Sequence, residues 1–152
     1  NFASSFQSLQ LQASIRDNLY AFAGLYQVSD PKEKSEKLLK IFGIQKLANQ
    51  GKKLFHLSSG ENTKAMLCKA FINDPEIVFL DEPTASLDPI AREDIIKKIK
   101  RFQHDLGISF IYTSHNIPEI VALCRNVMVL KNGLPAYVGP IDESIELLIK
   151  RY

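Results

Sequence analysis

The feature that most constrains this chain is a run of four apolar residues that ends in two adjacent acids. Residues 77–80 read IVFL and are followed directly by Asp81 and Glu82. A continuous apolar run of strand length is typical of a strand that is buried on both faces of a parallel sheet. Ligands of open α/β sheets bind at the carboxyl ends of the strands, where these two acids fall. The run therefore predicts a buried parallel strand with two carboxylates at its ligand-binding end.

The two acids can have different tasks because adjacent residues of an extended chain point to opposite sides. One carboxylate can hold a magnesium ion, directly or through water. The other can accept a proton from an attacking water molecule. A solvated loop after a strand would contain the same residue types without any function. Residues 77–82 alone favour neither interpretation.

The periodicity of the remaining chain predicts an α/β fold with a parallel sheet. Residues 8–73 are mostly helical in pattern, which predicts a helical subdomain beside an α/β core at 74–152. The pair Asn132-Gly133 between two apolar stretches indicates a β-hairpin with a type I′ turn. Helices are predicted at 16–26, 31–43, 60–73, 90–106 and 141–150, with a short one after Asn116, and a second core strand is predicted at 108–113. Ser14, with Asp17 three residues later, predicts the start of the first of these helices, and Asp30-Pro31 predicts the start of the second.

Composition excludes several classes of protein. The 152 residues include 19 Lys plus Arg and 17 Asp plus Glu, and the net charge of +2 is too small to indicate a nucleic-acid or anionic-membrane partner. Cys68 and Cys124 have no metal-ligand spacing, so neither a disulfide framework nor a zinc site is predicted. No apolar run approaches the roughly 18 residues of a membrane-spanning helix.

Four further segments give the acid pair a context. Gln7 lies near the start, LSSGE occupies 57–61, SLD occupies 86–88, and the second core strand leads into His115. In this order and at this spacing the sequence resembles the nucleotide-binding subunit of ATP-binding cassette (ABC) proteins. The corresponding family elements are the glutamine loop, the LSGGQ-type signature, the Walker B strand, the D-loop and the switch histidine. The resemblance covers nearly the whole chain.

The resemblance implies a role for each matching residue near the phosphates. Asp81 and Gln7 would coordinate magnesium, Glu82 would polarise the attacking water, and His115 would contact the γ-phosphate. Gln10 and Gln12 are nearby alternatives to Gln7, which is preferred because residues 14–19 follow it as in the family's glutamine loop. Two copies would form a head-to-tail dimer around two ATP molecules. Residues implied to reach the nucleotide across that dimer are Ser58, Ser59, Gly60, Glu61 and Asp88.

The most serious departure from the family is an absence. No segment matches GxxxxGK[ST], the phosphate-binding loop, because Gly51-Lys52 lacks the first glycine and the final Ser or Thr. The chain therefore resembles the C-terminal part of an ABC ATPase, a P-loop NTPase-like parallel sheet that is incomplete and lacks its N-terminal strands. Such a piece is expected to be inactive alone and to expose sheet edges that aggregate. A smaller departure is Ser59, where the signature usually has glycine; its side chain could crowd a phosphate or cap the helix.

The resemblance implies an ATPase that binds ATP and Mg²⁺ and couples ATP hydrolysis to transport. Its partners would be membrane-spanning transporter subunits or domains and a second ATPase domain, in a homo- or heterodimer. The ATPase would lie peripherally on the cytoplasmic side of a membrane and would not insert into the membrane directly. No nucleic-acid partner is expected. Residues 18–26 look most like exporters of the drug or ABC-2 type. The alternatives are a non-catalytic remnant or binding module, and a soluble ABC ATPase of the translation-factor type.

Overall fold

A computed structural model describes residues 2–4 and 9–141 of the chain. The residues divide into two compact units, Asn1–Thr113 and Ser114–Tyr152, which are described separately below. Gln7 and nearly all of the predicted closing helix at 141–150 lie outside the described residues. Within 2–4 and 9–141, no helix combines the length and the apolar character that crossing a bilayer requires.

A parallel sheet forms the centre of the first unit. Its strands are β1 (Phe2–Ser4), β2 (Ile77–Asp81) and β3 (Ser109–Thr113), hydrogen-bonded in the order β1-β2-β3. Asp81 at the end of β2 stands in register with Thr113 at the end of β3. The predicted α/β class, the parallel sheet and both core strands are confirmed.

Four of the five helices of the first unit that the structure describes begin at a side-chain cap, and the helix Gln45–Asn49 does not. The Ser14 hydroxyl and the Asp17 carboxylate exchange hydrogen bonds with each other's backbone amides, which is a capping box. Asp30 caps the next helix, and Pro31 stands in its first turn. The helices are α1 (Ile15–Leu25), α2 (Pro31–Ile41), α3 (Gln45–Asn49), α4 (Ser59–Ala70) and α5 (Pro89–Leu106), with a 3-10 turn at Leu54–His56.

Three stacked phenylalanines join the helices to one another. The ring centroid of Phe71, just after α4, lies 4.1 Å from the ring centroid of Phe102 in α5. The ring centroid of Phe42, just after α2, lies 5.9 Å from that of Phe71 and 5.8 Å from that of Phe102. Aromatic pairs with centroids about 4.5–7 Å apart, such as the two pairs that Phe42 makes, each contribute roughly 0.5–1.5 kcal/mol beyond the area they bury. This cluster fixes α2 and α5 against the end of α4.

One expectation for β2 is wrong. Val78 and Leu80 are fully buried, but Ile77 is 49% exposed and Phe79 is 45% exposed. Alternate residues of a strand face opposite sides, and among the described residues only one side of this sheet is covered by helices. The strand is therefore buried on one face rather than on two.

The second unit contains a short helix and a hairpin. Helix α6 spans Ile117–Leu123, and β4 (Asn126–Lys131) pairs antiparallel with β5 (Leu134–Pro140). Asn132 and Gly133 both have positive φ, 52° and 78°, as the predicted type I′ turn requires. The predicted hairpin is confirmed, with a register shift between Val129 and Leu130.

Candidate functional site

The acid pair lies at the end of β2 and is held by the neighbouring strand. The backbone N–H of Glu82 donates to the carbonyl oxygen of Thr113 at 3.2 Å and to its Oγ1 at 3.1 Å. Thr113 Oγ1 donates to Asp81 Oδ1 at 2.6 Å. One threonine at the end of β3 therefore contacts both members of the pair.

Glu82 has a strained backbone. Its φ is 46°, in the left-handed region that few residues other than glycine adopt. Such a conformation costs on the order of 1–3 kcal/mol and persists only where surrounding contacts impose it. The two hydrogen bonds from the Glu82 amide to Thr113 are among the contacts that hold the chain where it turns out of the strand.

The loop that follows the acids is tied to β3 a second time. Thr84 is 2% exposed, and its hydroxyl lies 3.2 Å from the hydroxyl of Tyr112. Sequence reasoning missed Thr84, Tyr112 and Thr113 because no local motif marks them. The signal that could have found Thr113 is the register of β2 and β3, which places two strand ends side by side.

The predicted signature segment forms the start of α4. The Glu61 N–H donates to Ser58 Oγ at 3.2 Å, and the Ser58 N–H donates to Glu61 Oε2 at 2.8 Å. This is a capping box, so Ser58 and Glu61 have a structural role in starting the helix. The helix amides and dipole at such a start also suit an anion. The assignment of Ser58, Ser59, Gly60 and Glu61 to a nucleotide stays a prediction.

The start of α4 contacts the predicted D-loop. Ser59 Oγ donates to the backbone carbonyl of Ser86 at 3.1 Å. The side chain of Leu87 lies 3.4 Å from the point where a Cβ on Gly60 would stand. The two predicted motifs are thus in direct contact within the first unit.

Asp88 begins the helix α5. Its Oδ1 accepts hydrogen bonds from the amides of Ile90 and Ala91, each at 3.0 Å. These bonds lower the pKa of Asp88 from its ordinary value, the bond from Ala91 most strongly. Asp88 therefore caps a helix of its own chain, and its predicted role across a dimer stays a prediction.

His115 belongs to the second unit, in the loop before α6. Ser114 Oγ accepts from the Asn116 amide at 3.0 Å and donates to Glu119 Oε2 at 3.1 Å. Glu119 is 2% exposed. These bonds fix the backbone on both sides of His115, whose own side chain is exposed.

The donor set around Asp81 fits magnesium bound to a nucleotide. No group of three or more His, Cys, Asp or Glu side chains suited to a metal occurs within 2–4 and 9–141. Magnesium in phosphate sites is held through one or two carboxylates together with the phosphates, so a single hydrogen-bonded aspartate is a sufficient protein ligand there. Gln7, the other predicted ligand, lies outside the described residues.

A cavity of about 210 Å³ lies elsewhere, between α2 and α5. Its lining combines apolar side chains, among them Phe71 and Phe102, with charged ones. Of the charged residues, Lys34 is paired with Asp74 and Arg101 with Asp105. No predicted site residue lines this cavity.

Residues 1–85 match the family model described as ABC transporter. The chain belongs to this family. Spermidine/putrescine import ATP-binding protein PotA of Bacillus anthracis is 30% identical over 116 residues, which are 76% of this chain and 35% of that protein. PotA of Acetivibrio thermocellus is 33% identical over 112 residues, which are 74% of this chain and 31% of that protein. The chain thus spans about a third of the length of these curated relatives.

Solved structures of ABC proteins share the fold. An inward-facing metal-chelate type ABC transporter superposes with a TM-score of 0.81 at 17% identity, covering 99% of this chain and 63% of that one. A dimeric ATP-binding cassette in a post-hydrolysis state, bound to ADP and Pi, superposes with a TM-score of 0.79 at 19% identity. The match covers 93% of this chain and 63% of that one. The predicted fold, that of an ABC ATPase domain, is confirmed.

Proposed function

We propose that this chain is part of the ATP-hydrolysing subunit of an ABC transporter. The observation that carries the proposal is the acid pair at the end of β2, fixed by β3 in the same unit in which the signature segment contacts the D-loop. The relatives named as import ATP-binding proteins support it. They give no support to the alternatives of a non-catalytic remnant or a translation factor.

The acid pair would divide the chemistry between its two members. Asp81, together with Gln7, would hold Mg²⁺, which supplies positive charge to the phosphates when bound. Glu82 would accept a proton from the water that attacks the γ-phosphate. His115 would contact the same phosphate.

The remaining predicted residues would act across a dimer of ATPase domains. Ser58, Ser59, Gly60 and Glu61 stand at a helix start, where backbone amides and the helix dipole favour a phosphate. Asp88 is exposed and stands on the loop that contacts this helix start. A related cassette is dimeric in its solved structure, which supports the same arrangement here.

The partners would be membrane-spanning subunits or domains, with this chain on the cytoplasmic side of the membrane. The helical residues 8–73 would transmit motion to them, and residues 74–152 would complete the core. The exporter type that residues 18–26 suggest finds no support among the relatives, which are named for import. The transported substrate would be selected by the membrane-spanning partner, not by this chain.

The test is a matched pair of substitutions in the complete ATPase that contains these residues. The complete protein is needed because these 152 residues contain no phosphate-binding loop and are expected to be inactive alone. Glu82→Gln should lower kcat by about 10²–10⁴-fold, the usual contribution of general-base catalysis, and should leave nucleotide binding intact. Glu76→Gln, just before β2 on the same chain, is the control and should leave kcat unchanged. Full turnover in the Glu82→Gln variant would contradict the proposal.

A further inference from the structure

Thr113 is the residue through which β3 holds both acids. Its Oγ1 donates to Asp81 Oδ1 at 2.6 Å and accepts from the Glu82 amide at 3.1 Å. An amide can only donate, so the single hydroxyl hydrogen is left for the carboxylate. The bonds therefore run in one direction, from the Glu82 amide through the Thr113 hydroxyl to the Asp81 carboxylate.

We propose that Thr113 is a positioning residue that sets the orientation of the Asp81 carboxylate for Mg²⁺. This inference rests on the proposed function. A hydrogen bond to one oxygen fixes the plane of the carboxylate before the metal arrives. Hydrogen-bonded partners of this kind orient metal-ligating carboxylates, and their loss typically weakens metal binding by about 10–100-fold.

The same hydroxyl links the metal ligand to the base. Glu82 leaves the strand with a φ of 46°, and its amide is held by Oγ1 and by the carbonyl of Thr113. The hydroxyl of Thr113 is thus shared between the side chain of one acid and the backbone of the other. This one group therefore contributes to the placement of both acids.

A threonine suits this position better than a serine would. Two heavy atoms on Cβ restrict χ1, so the hydroxyl loses little further freedom when it bonds. A β-branched residue also fits the end of a strand. Valine has the same shape without the hydroxyl, and it leaves the bond from the Glu82 amide to the Thr113 carbonyl in place. Thr113→Val is therefore expected to fold.

The same strand provides a matched control. Ser109 also carries a hydroxyl on β3, at the opposite end of the strand from Thr113, where it stands in register with Ile77. Ser109→Ala removes a hydroxyl from the same strand and leaves the Thr113 hydroxyl in place. Thr113→Ser is the conservative variant, because it restores the hydroxyl without the methyl group.

The experiment measures metal-dependent nucleotide binding rather than turnover. In the complete ATPase carrying Glu82→Gln, binding of a fluorescent ATP analogue is followed by anisotropy while Mg²⁺ is titrated, and Mn²⁺ binding is followed by electron paramagnetic resonance. Thr113→Val should raise the half-saturating metal concentration about tenfold, the lower end of the usual range for an exposed site. Binding of the analogue without metal should not change. Thr113→Ser and Ser109→Ala should stay within about twofold of the parent.

Two results would overturn the inference, and they differ from failure of the proposed function. An unchanged metal requirement in Thr113→Val would show that the hydroxyl does not position Asp81. An equal loss of binding with and without metal would show a general structural role only. Absence of metal-dependent nucleotide binding in the parent itself would contradict the proposed function, and this inference with it.

Discussion

Ser59 shows how a single substitution within a motif acquires its own contact. The sequence left two outcomes for its side chain, crowding of a phosphate or capping of the helix. In the structure the helix is capped by Ser58, and Ser59 Oγ instead donates to the Ser86 carbonyl at 3.1 Å. A glycine at position 59 could not make this bond. The side chain thus ties the signature segment to the D-loop within one chain.

Loss of the Ser59 hydroxyl should loosen the D-loop. A hydrogen bond of this kind contributes roughly 0.5–1.5 kcal/mol, and this one is exposed, so Ser59→Ala should accelerate amide hydrogen exchange in residues 85–88 about two- to fivefold. Hydrogen exchange measured by mass spectrometry on the complete ATPase reads this directly. Ser86→Ala is the control, because it keeps the backbone carbonyl that accepts the bond. Equal exchange in Ser59→Ala and the parent would contradict the assignment.

At the level of whole elements, the predictions that succeeded depended on signals close in sequence. Three pairs of residues within four positions of each other specify a helix start or a turn: Ser14 with Asp17, Asp30 with Pro31, and Asn132 with Gly133. In the structure the first two pairs begin helices α1 and α2, and the third forms the turn of the hairpin. The short helix α3 and the 3-10 turn at Leu54–His56 were missed, and neither begins with a side-chain capping bond.

The predictions that failed or were lacking depended on residues far apart in sequence. The second face of β2 was expected to be buried because its apolar run is continuous, but burial depends on what packs against it. The bond from Thr113 to Asp81 spans 32 positions, and that from Ser59 to Ser86 spans 27. The sequence located the acid pair by its motif. The contacts that position it follow from strand register and helix packing.

The start of α5 should depend on the ionised carboxylate of Asp88. Because amide hydrogen bonds lower the pKa of Asp88 in the folded chain, its contribution is present above the pKa of an unfolded aspartate and is lost as the pH falls through the lower folded value. Asp88→Ala should therefore fray the first turn and speed amide exchange at Ile90 and Ala91. Asp88→Asn should preserve the cap and remove its pH dependence, because asparagine is an equally good capping residue.

The measurement is the exchange rate at these two amides relative to an unstructured reference, followed as the pH is lowered from about 6 through the folded pKa of Asp88. The relative rate in the parent should rise as the pH falls, because protection is lost, whereas in Asp88→Asn it should stay constant. A parent whose protection does not change with pH would show that the carboxylate is not the group that caps the helix.

At the scale of the whole molecule, the exposed sheet face governs how these 152 residues behave by themselves. Ile77 (49% exposed) and Phe79 (45%) on β2 lie on the same face as Ile111 (52%) on β3, and Phe79 stands in register with Ile111. Contiguous exposed apolar side chains of this size mark either an interface or a site of aggregation. The sequence predicted association through the edges of the sheet. The structure adds that the exposed apolar face of the sheet also favours association.

The 152-residue chain, studied alone, should therefore form oligomers or aggregates at micromolar concentration. Replacing Phe79 and Ile111 together by threonine puts a β-branched residue, which suits a strand, at both positions. It removes apolar area worth about 25 cal/mol per Å² when buried between molecules. The double variant should shift the mass measured by light scattering after size-exclusion chromatography towards 17.2 kDa. Leu25→Thr, at a position that is 70% exposed on α1 away from the sheet, is the control and should leave the association unchanged. A parent that elutes as a monomer would show that this face does not drive association, and an equal shift in the control would place the contact elsewhere.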